Sequence, residues 1–210
     1  MIFKRVGLFI DWNTQLSNAP DELRDSVVER NRFAIRAVGK HVTKTLCSLH
    51  PTDVYRVDVR LYHGWTTGFT HTINRRAVAA LQEFSDPDSI FTSPRVLAGS
   101  AVEFGDRLLD ALPQREKKGL GIHLPNTCRK QGRDDAMTEK MVDTALAADL
   151  LSWARTDPTS TAFVICSDDD IIPPVFTAES WMKPLGGTVL LTRQRSANDG
   201  RFLSLEGLLA

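Results

Sequence analysis

Two short apolar runs set the limits on what this chain can fold into. Val6–Ile10 (VGLFI) stops at Asp11, and Thr161–Ile165 (TAFVI) leads into Cys166-Ser167-Asp168-Asp169-Asp170. Apolar stretches this short are strand-sized rather than helix-sized, and a run without polar alternation suits a strand buried on both faces. Each would deliver its acids to the C-terminal end of a strand. In open parallel sheets that is the edge where functional groups collect.

The rest of the pattern agrees with such a sheet. Helical periodicity over about 26–49 places Val27, Val28, Phe33, Ile35, Val38, Val42 and Leu46 among the apolar positions, with Pro51 just beyond. A strand is expected over Val54–Tyr62, broken by Gly64 and Gly68, then a helix over 73–84. From about 85 to 135 the chain is irregular, with four prolines and the basic stretches Arg115–Lys118 and Thr127–Arg133. Strands are expected there at 95–98 and near 121–124, and Thr127–Arg133 reads as a connection. Thr138–Ala154 reads as a helix with Thr138 as its N-cap, and about 173–182 as another that starts with proline. Thr188–Thr192 is the last core strand, and the chain from Phe202 adds a short strand or turn. Strands alternating with helices mean a mostly parallel sheet with helices on both faces. The expected class is therefore α/β, a three-layer sandwich in one domain over 1–210, with an irregular basic insertion at about 85–135.

Composition removes several other classes. Hydrophobic residues make up 42% and charged residues 25%, the balance of a soluble globular domain. No apolar run approaches the roughly 18 residues of a membrane span. The opening MIFKRVGLFID reads as a strand rather than a signal peptide, because its short apolar stretch runs straight into Asp11. Cys47, Cys128 and Cys166 form no CxxC or Cys/His zinc pattern. A reducing cytoplasm is the expected compartment. The 26 basic and 26 acidic residues cancel, so net charge alone points to no partner.

The candidate chemistry lies in carboxylates. Asp11 and Asp168–Asp170 follow the two runs, and Asp143 and Asp149 interrupt the apolar stretch of the helix between them. Six residues turn a helix through about 600°, so Asp143 and Asp149 do not share one line. Asp143, nearer the helix start, is the better candidate. Gathered carboxylates repel unless a cation neutralises them, and oxygen-only donors favour magnesium or manganese. The histidines are scattered, and neither a GxSxG elbow nor a Walker loop is present. A plainer origin exists for each acid: Asp11, Asp168 and Asp170 suit turns and helix caps, and Asp143 suits a surface pair with Lys140.

The segments GLFIDWN (7–13), KMVDTALAADLL (140–151) and FVICSDDDIIPPV (163–175) resemble the three signature segments of the NYN domains, relatives of the PIN ribonucleases. The resemblance runs from about residue 6 to residue 192. It implies a Rossmann-like, PIN-like fold, dependence on Mg2+ or Mn2+, and endonucleolytic hydrolysis of RNA phosphodiesters. It implies that Asp11, Asp143 and Asp168 hold the metal, that Asp170 and Asn13 support the ligands or the attacking water, and that Asp149 and Ser167 stand behind them. Two positions depart from the family pattern: Cys166 stands where a hydroxyl residue is usual, and Ser167 where glycine is.

RNA is the expected partner. DNA stays open because the chemistry at phosphorus is shared, and the oligomeric state, a homo-oligomer included, is left open too. Candidate substrate contacts are Arg129, Lys130, Arg133 and Lys140, with Trp12 as a ring on which a base could stack. Two alternatives compete: an RNA-binding module of this fold without turnover, and a phosphatase of the haloacid-dehalogenase type. The phosphatase is disfavoured because Asn13 occupies the position of its general acid.

Overall fold

A computed structural model describes residues 3–67, 70–81, 86–105, 128–131, 136–139, 141–194 and 200–203, with the side chains of 128–131, 136–138, 194 and 200–203 excepted. The expected strand near 121–124 and residues 115–118, 133 and 140 lie outside them.

The strands are β1 (Phe3–Asp11), β2 (Val54–Tyr62), β3 (Thr66–Thr67), β4 (Thr70–His71), β5 (Val96–Ala98), β6 (Glu103–Phe104), β7 (Cys128–Gln131), β8 (Ala136–Glu139), β9 (Thr161–Ile165), β10 (Thr188–Gln194) and β11 (Gly200–Leu203). The helices are α1 (Trp12–Ser17), α2 (Val27–Leu49), α3 (Ile73–Ala79), α4 (Val142–Thr156) and α5 (Ile172–Met182). A seven-stranded sheet has the order β11-β10-β9-β1-β2-β5, with β6 also on β2. Its pairings are parallel except for β10 with β11. The chain is therefore α/β with a mostly parallel sheet, as the alternation implies.

The pleat of β1 sorts the two layers. Val6, Leu8 and Ile10 pack into a cluster with Ile35, Val38, Val42 and Leu46 of α2. Phe9 points the other way, into a cluster with Leu146, Leu150 and Trp153 of α4 and Val175 and Met182 of α5. Asp11 has the parity of Phe9 and so belongs to the α4 side. On that side Gly7 admits the Trp153 ring, since a Cβ at residue 7 would lie 2.6 Å from Cε2 of the indole.

Helix α2 begins as expected. Ser26 caps it by accepting from the Glu29 amide at 3.4 Å, and Glu29 three residues on completes a capping-box sequence. Val28 and Phe33, expected among its apolar positions, are exposed at 40% and 38%. The stripe that packs is narrower than the stripe that reads as apolar.

Three boundaries differ from expectation. Thr138 caps no helix; it lies in β8, which forms an antiparallel hairpin with β7. Part of the basic run 127–133 is thus strand rather than connection. Helix α4 starts later, after Met141, whose φ of 65° puts a non-glycine residue in the left-handed region. In the stretch read as an insertion, β5 and β6 both pair with β2, so its first part belongs to the sheet. Helix α3 spans Ile73–Ala79, and residues 82–84 of the expected 73–84 helix lie outside the described residues.

Candidate active site

The sheet order changes direction between β1 and β9. From β1 the chain moves outward through β2 and β5, then returns to add β9 and β10 on the other flank. At such a switch point the loops leaving adjacent strands part and leave a crevice beyond their C-terminal ends. Asp11 ends β1 there, and Cys166 follows the end of β9.

Asp11 is 8% exposed. It caps α1 by accepting from the amides of Asn13 at 3.1 Å and Thr14 at 3.3 Å, and its other oxygen accepts from the Thr14 hydroxyl. The Cys166 thiol lies 3.8 Å from that same oxygen. Burial raises the Asp11 pKa, and Glu139 adds to the rise, while the Thr14 and Asn13 donors oppose it. Burial and the facing Asp11 carboxylate push the Cys166 thiol up to about 12, so it stays a thiol.

Asp143 stands in the first turn of α4, half-buried. Its pKa is raised by burial, then by the charges of Asp168, Asp11 and Glu139. Four carboxylates from β1, β8, α4 and the β9–α5 loop therefore feel one another. Asp143 thus lies within electrostatic range of Asp11, Asp168 and Glu139. One of these is a fourth acid beside the three expected.

That fourth acid is Glu139, which the sequence reading did not single out. Its carboxylate accepts from the Gly64 amide at 2.7 Å and pairs with His63, whose Nε2 lies 2.6 Å from the Asn74 side-chain nitrogen. Burial opposes ionisation of Glu139, but the His63 contact and the Gly64 amide together outweigh it and the pKa falls. Nothing in the sequence links His63 with Glu139, because the residue after β2 and the end of β8 meet only through the fold. Arg193 was also missed. It is 9% exposed, pairs with Asp169, and donates to the Ser167 carbonyl at 3.1 Å, which ties the acidic loop to β10.

The remaining candidates divide. Asp168 is exposed and caps the short turn Asp169–Ile171 by accepting from the Asp170 amide at 2.9 Å. Asp170 and Asn13 are exposed near it and near Asp11, respectively. Ser167 is half-buried between Cys166 and Asp168. Asp149 is 2% exposed and accepts from the Tyr62 hydroxyl at 2.8 Å. Tyr62 pairs in register with Asp11, so Asp149 lies in the layer behind the site. Trp12 is a correction: its ring is fully buried and its indole N–H donates to Asn31 at 2.7 Å, so it offers no face to a base. Arg129 and Lys130 lie in β7, with side chains outside the described residues; Arg133 and Lys140 lie outside altogether.

The donor set suits a hard divalent ion in kind, since Asp11, Asp143 and Asp168 all present oxygen. Among the described residues, no group of three or more His, Cys, Asp or Glu side chains is close enough to hold a metal ion. Also among them, no helix is long and apolar enough to cross a membrane.

Comparison of the chain with protein-family models, with curated proteins and with solved structures finds no match in any of the three.

Proposed function

We propose that this chain is a metal-dependent nuclease of the NYN/PIN-like kind, an endoribonuclease acting at Asp11, Asp143 and Asp168. The observation that carries the reading is the electrostatic coupling of Asp143 to both Asp168 and Asp11 at the switch point of the sheet. These acids come from segments distant in sequence, and the repulsion that Asp168 and Asp11 exert on Asp143 is one that a bound cation would relieve. The resemblance of 7–13, 140–151 and 163–175 to NYN signature segments points the same way.

In this reading Asp11, Asp143 and Asp168 would hold Mg2+ or Mn2+, and the ion would supply activation of a water and neutralisation of charge on the phosphodiester. Asp11 is oriented by its Thr14 and Asn13 donors, and Asp143 by the start of α4. Glu139, aimed by His63, adds negative charge beside them. Cys166, held as a thiol, packs against Asp11 without ionising.

The test is cleavage of labelled single-stranded and structured RNA with either metal. Wild-type protein is expected to cut, and Asp11→Asn to lower the rate by at least about a hundredfold, the scale of a lost charge-stabilising group. Intact RNA under both metals with wild-type protein ends the nuclease reading. The second reading is an RNA-binding module of the same fold without turnover, in keeping with the finding that no group of three or more metal-ligating side chains among the described residues could hold an ion. Binding without cleavage selects it.

A further inference from the structure

We infer that a small hollow between α1, α2 and the end of β9 is a pocket for one pyrimidine base of a single RNA strand, beside the acidic site. The inference deepens the nuclease reading and rests on RNA being the ligand. The hollow has a volume of about 140 Å³. Gln15 and Asn18 line it from α1 and its C-cap, Phe33, Ala37 and His41 from α2, and Ile165 from β9. Alanine at position 37 leaves open a space that a longer side chain would enter.

Gln15 points to a ligand. It is 5% exposed, and its side-chain nitrogen is buried with no hydrogen-bond partner among the described residues. A buried donor left unpaired costs folding energy and calls for an explanation. An acceptor seated in the hollow supplies one. The terminal amide of a glutamine turns easily, so it can present nitrogen or oxygen. A carboxamide thus offers a donor and an acceptor side by side, the pair needed to read the Watson–Crick edge of an unstacked base.

Size and lining narrow the occupant. A cavity of roughly 150 Å³ takes a benzene-sized ring, so this hollow suits the single ring of a pyrimidine rather than the fused rings of a purine. Among the described residues, no Asp, Glu, Lys or Arg lines it. His41 is half-buried and lies 3.1 Å from the Thr192 hydroxyl. Burial, and then the Lys44 charge, lower its pKa, so the ring is neutral near pH 7. A neutral wall suits a base and offers nothing to a phosphate. Phe33 is exposed and supplies a face on which a base can stack. A leucine side chain of a protein partner would fit the volume but leave the Gln15 amide unpaired.

The hollow and the acids share the switch-point edge of the sheet. Asp11 caps α1, and Gln15 stands four residues on, about 6 Å along the helix axis. Ile165 packs in the cluster on the α2 side. Cys166, the next residue, packs in the cluster on the α4 side, 3.8 Å from the Asp11 carboxylate. The end of β9 therefore separates the two sites. A strand held at the acids needs only to pass over that end to place a neighbouring base in the hollow.

The experiment is binding of two labelled strands of equal length and charge: an oligouridine and the same ribose-phosphate chain without bases. It is done in EDTA, so that cleavage plays no part. Wild-type protein is expected to prefer the oligouridine at least about fivefold, the scale of one stacked base. Gln15→Leu removes the amide and is expected to lose most of that preference, with affinity for the abasic strand unchanged. Its urea midpoint is expected to equal or exceed that of the wild type, because an unpaired buried donor is gone. A glutamine kept only for structure would show the reverse. Ala37→Leu fills the hollow from a helical position that leucine tolerates and leaves Gln15 in place. It is expected to lose the same preference and serves if Gln15→Leu does not fold. An oligoadenosine is expected to bind more weakly than the oligouridine, and equal binding overturns the single-ring assignment. Wild-type protein that binds both strands equally or binds neither, or a preference kept in both folded variants, overturns the inference, even where metal-dependent cleavage of RNA is intact. A preference that depends on Gln15 in protein that cuts no RNA supports the pocket and leaves the nuclease reading to fall separately. An amphipathic leucine-bearing peptide bound by wild type but not by Ala37→Leu, with no oligouridine bound, overturns the assignment in favour of a protein partner.

Discussion

Tyr62 and Asp149, 87 positions apart, are joined by a 2.8 Å hydrogen bond in which the phenol donates to the carboxylate. Both are almost fully buried, at 1% and 2% exposure. Burial and then the Asp149 charge push the phenol pKa well above its ordinary value, so Tyr62 stays a donor. The pair ties the end of β2, in register with Asp11, to the middle of α4, which carries Asp143.

Removing the phenol takes a donor from a buried carboxylate. Tyr62→Phe is expected to cost about 1–3 kcal/mol of stability, measured by urea unfolding. A loss below about 0.5 kcal/mol would mean that Asp149 is held well enough without Tyr62.

Asp143 sets a pH dependence. Its pKa is raised in the folded chain by burial and by Asp168 and Asp11. Between the ordinary carboxyl value and the raised one, the folded state holds a proton that the unfolded state has released. Stability therefore falls as pH rises through that window, and the full penalty is present at neutral pH. Asp143→Asn is expected to raise stability at neutral pH by on the order of 1 kcal/mol or less, because the group is half-exposed and screened. At pH about 3, below both values, the two proteins should match. Urea unfolding at the two pH values reads the difference, and a variant less stable at neutral pH contradicts the sign.

The same site predicts a response to divalent ions. Mg2+ or Mn2+ should raise the thermal midpoint of the wild-type protein by an amount that grows with metal concentration, since a ligand of the folded state stabilises it by mass action. In Asp11→Asn the rise should shrink to that seen with Ca2+-free monovalent salt of equal ionic strength. Equal rises in both proteins would place the ion elsewhere.

Gly7 is a packing requirement. A Cβ there would sit 2.6 Å from the Trp153 ring, which is held between Phe9 in edge contact and the Arg5 and Arg60 guanidinium groups. The indole N–H donates to Ser160 at 2.8 Å, so the ring has little freedom to move. Gly7→Ala is expected to cost about 1–3 kcal/mol, by thermal or urea unfolding. A neutral result would show that α4 can shift away from β1.

Met141 is the reverse case. With φ at 65°, a Cβ crowds the backbone just before α4. Met141→Gly is expected to be more stable than Met141→Ala by about 1 kcal/mol, because only glycine sheds that strain. The opposite order, normal at an ordinary helical position, would show that the left-handed turn is not kept.

Much of the fold was legible in the chain. Val6–Ile10 and Thr161–Ile165 carry no polar alternation, and both are central parallel strands. Acids that follow such strands must emerge at the C-terminal edge, so the locations of Asp11 and Asp168 followed from local pattern alone. Periodicity marked α2 and α4, and a proline start marked α5, but periodicity overstated the packed face of α2, where Val28 and Phe33 are exposed. A hydrophobic pattern tells which residues prefer burial; the width of the layer above the sheet decides which obtain it. Thr138 illustrates the same limit, since a good capping residue went to β8 once a hairpin partner was within reach. What only tertiary structure decided are the pairings across the chain: Trp12 drawn inward to Asn31, Asp149 to Tyr62, and Glu139 set beside Asp11 by His63. Side-chain chemistry and period are local properties and can be read in sequence, whereas a contact between distant segments depends on how layers stack, which no single segment encodes.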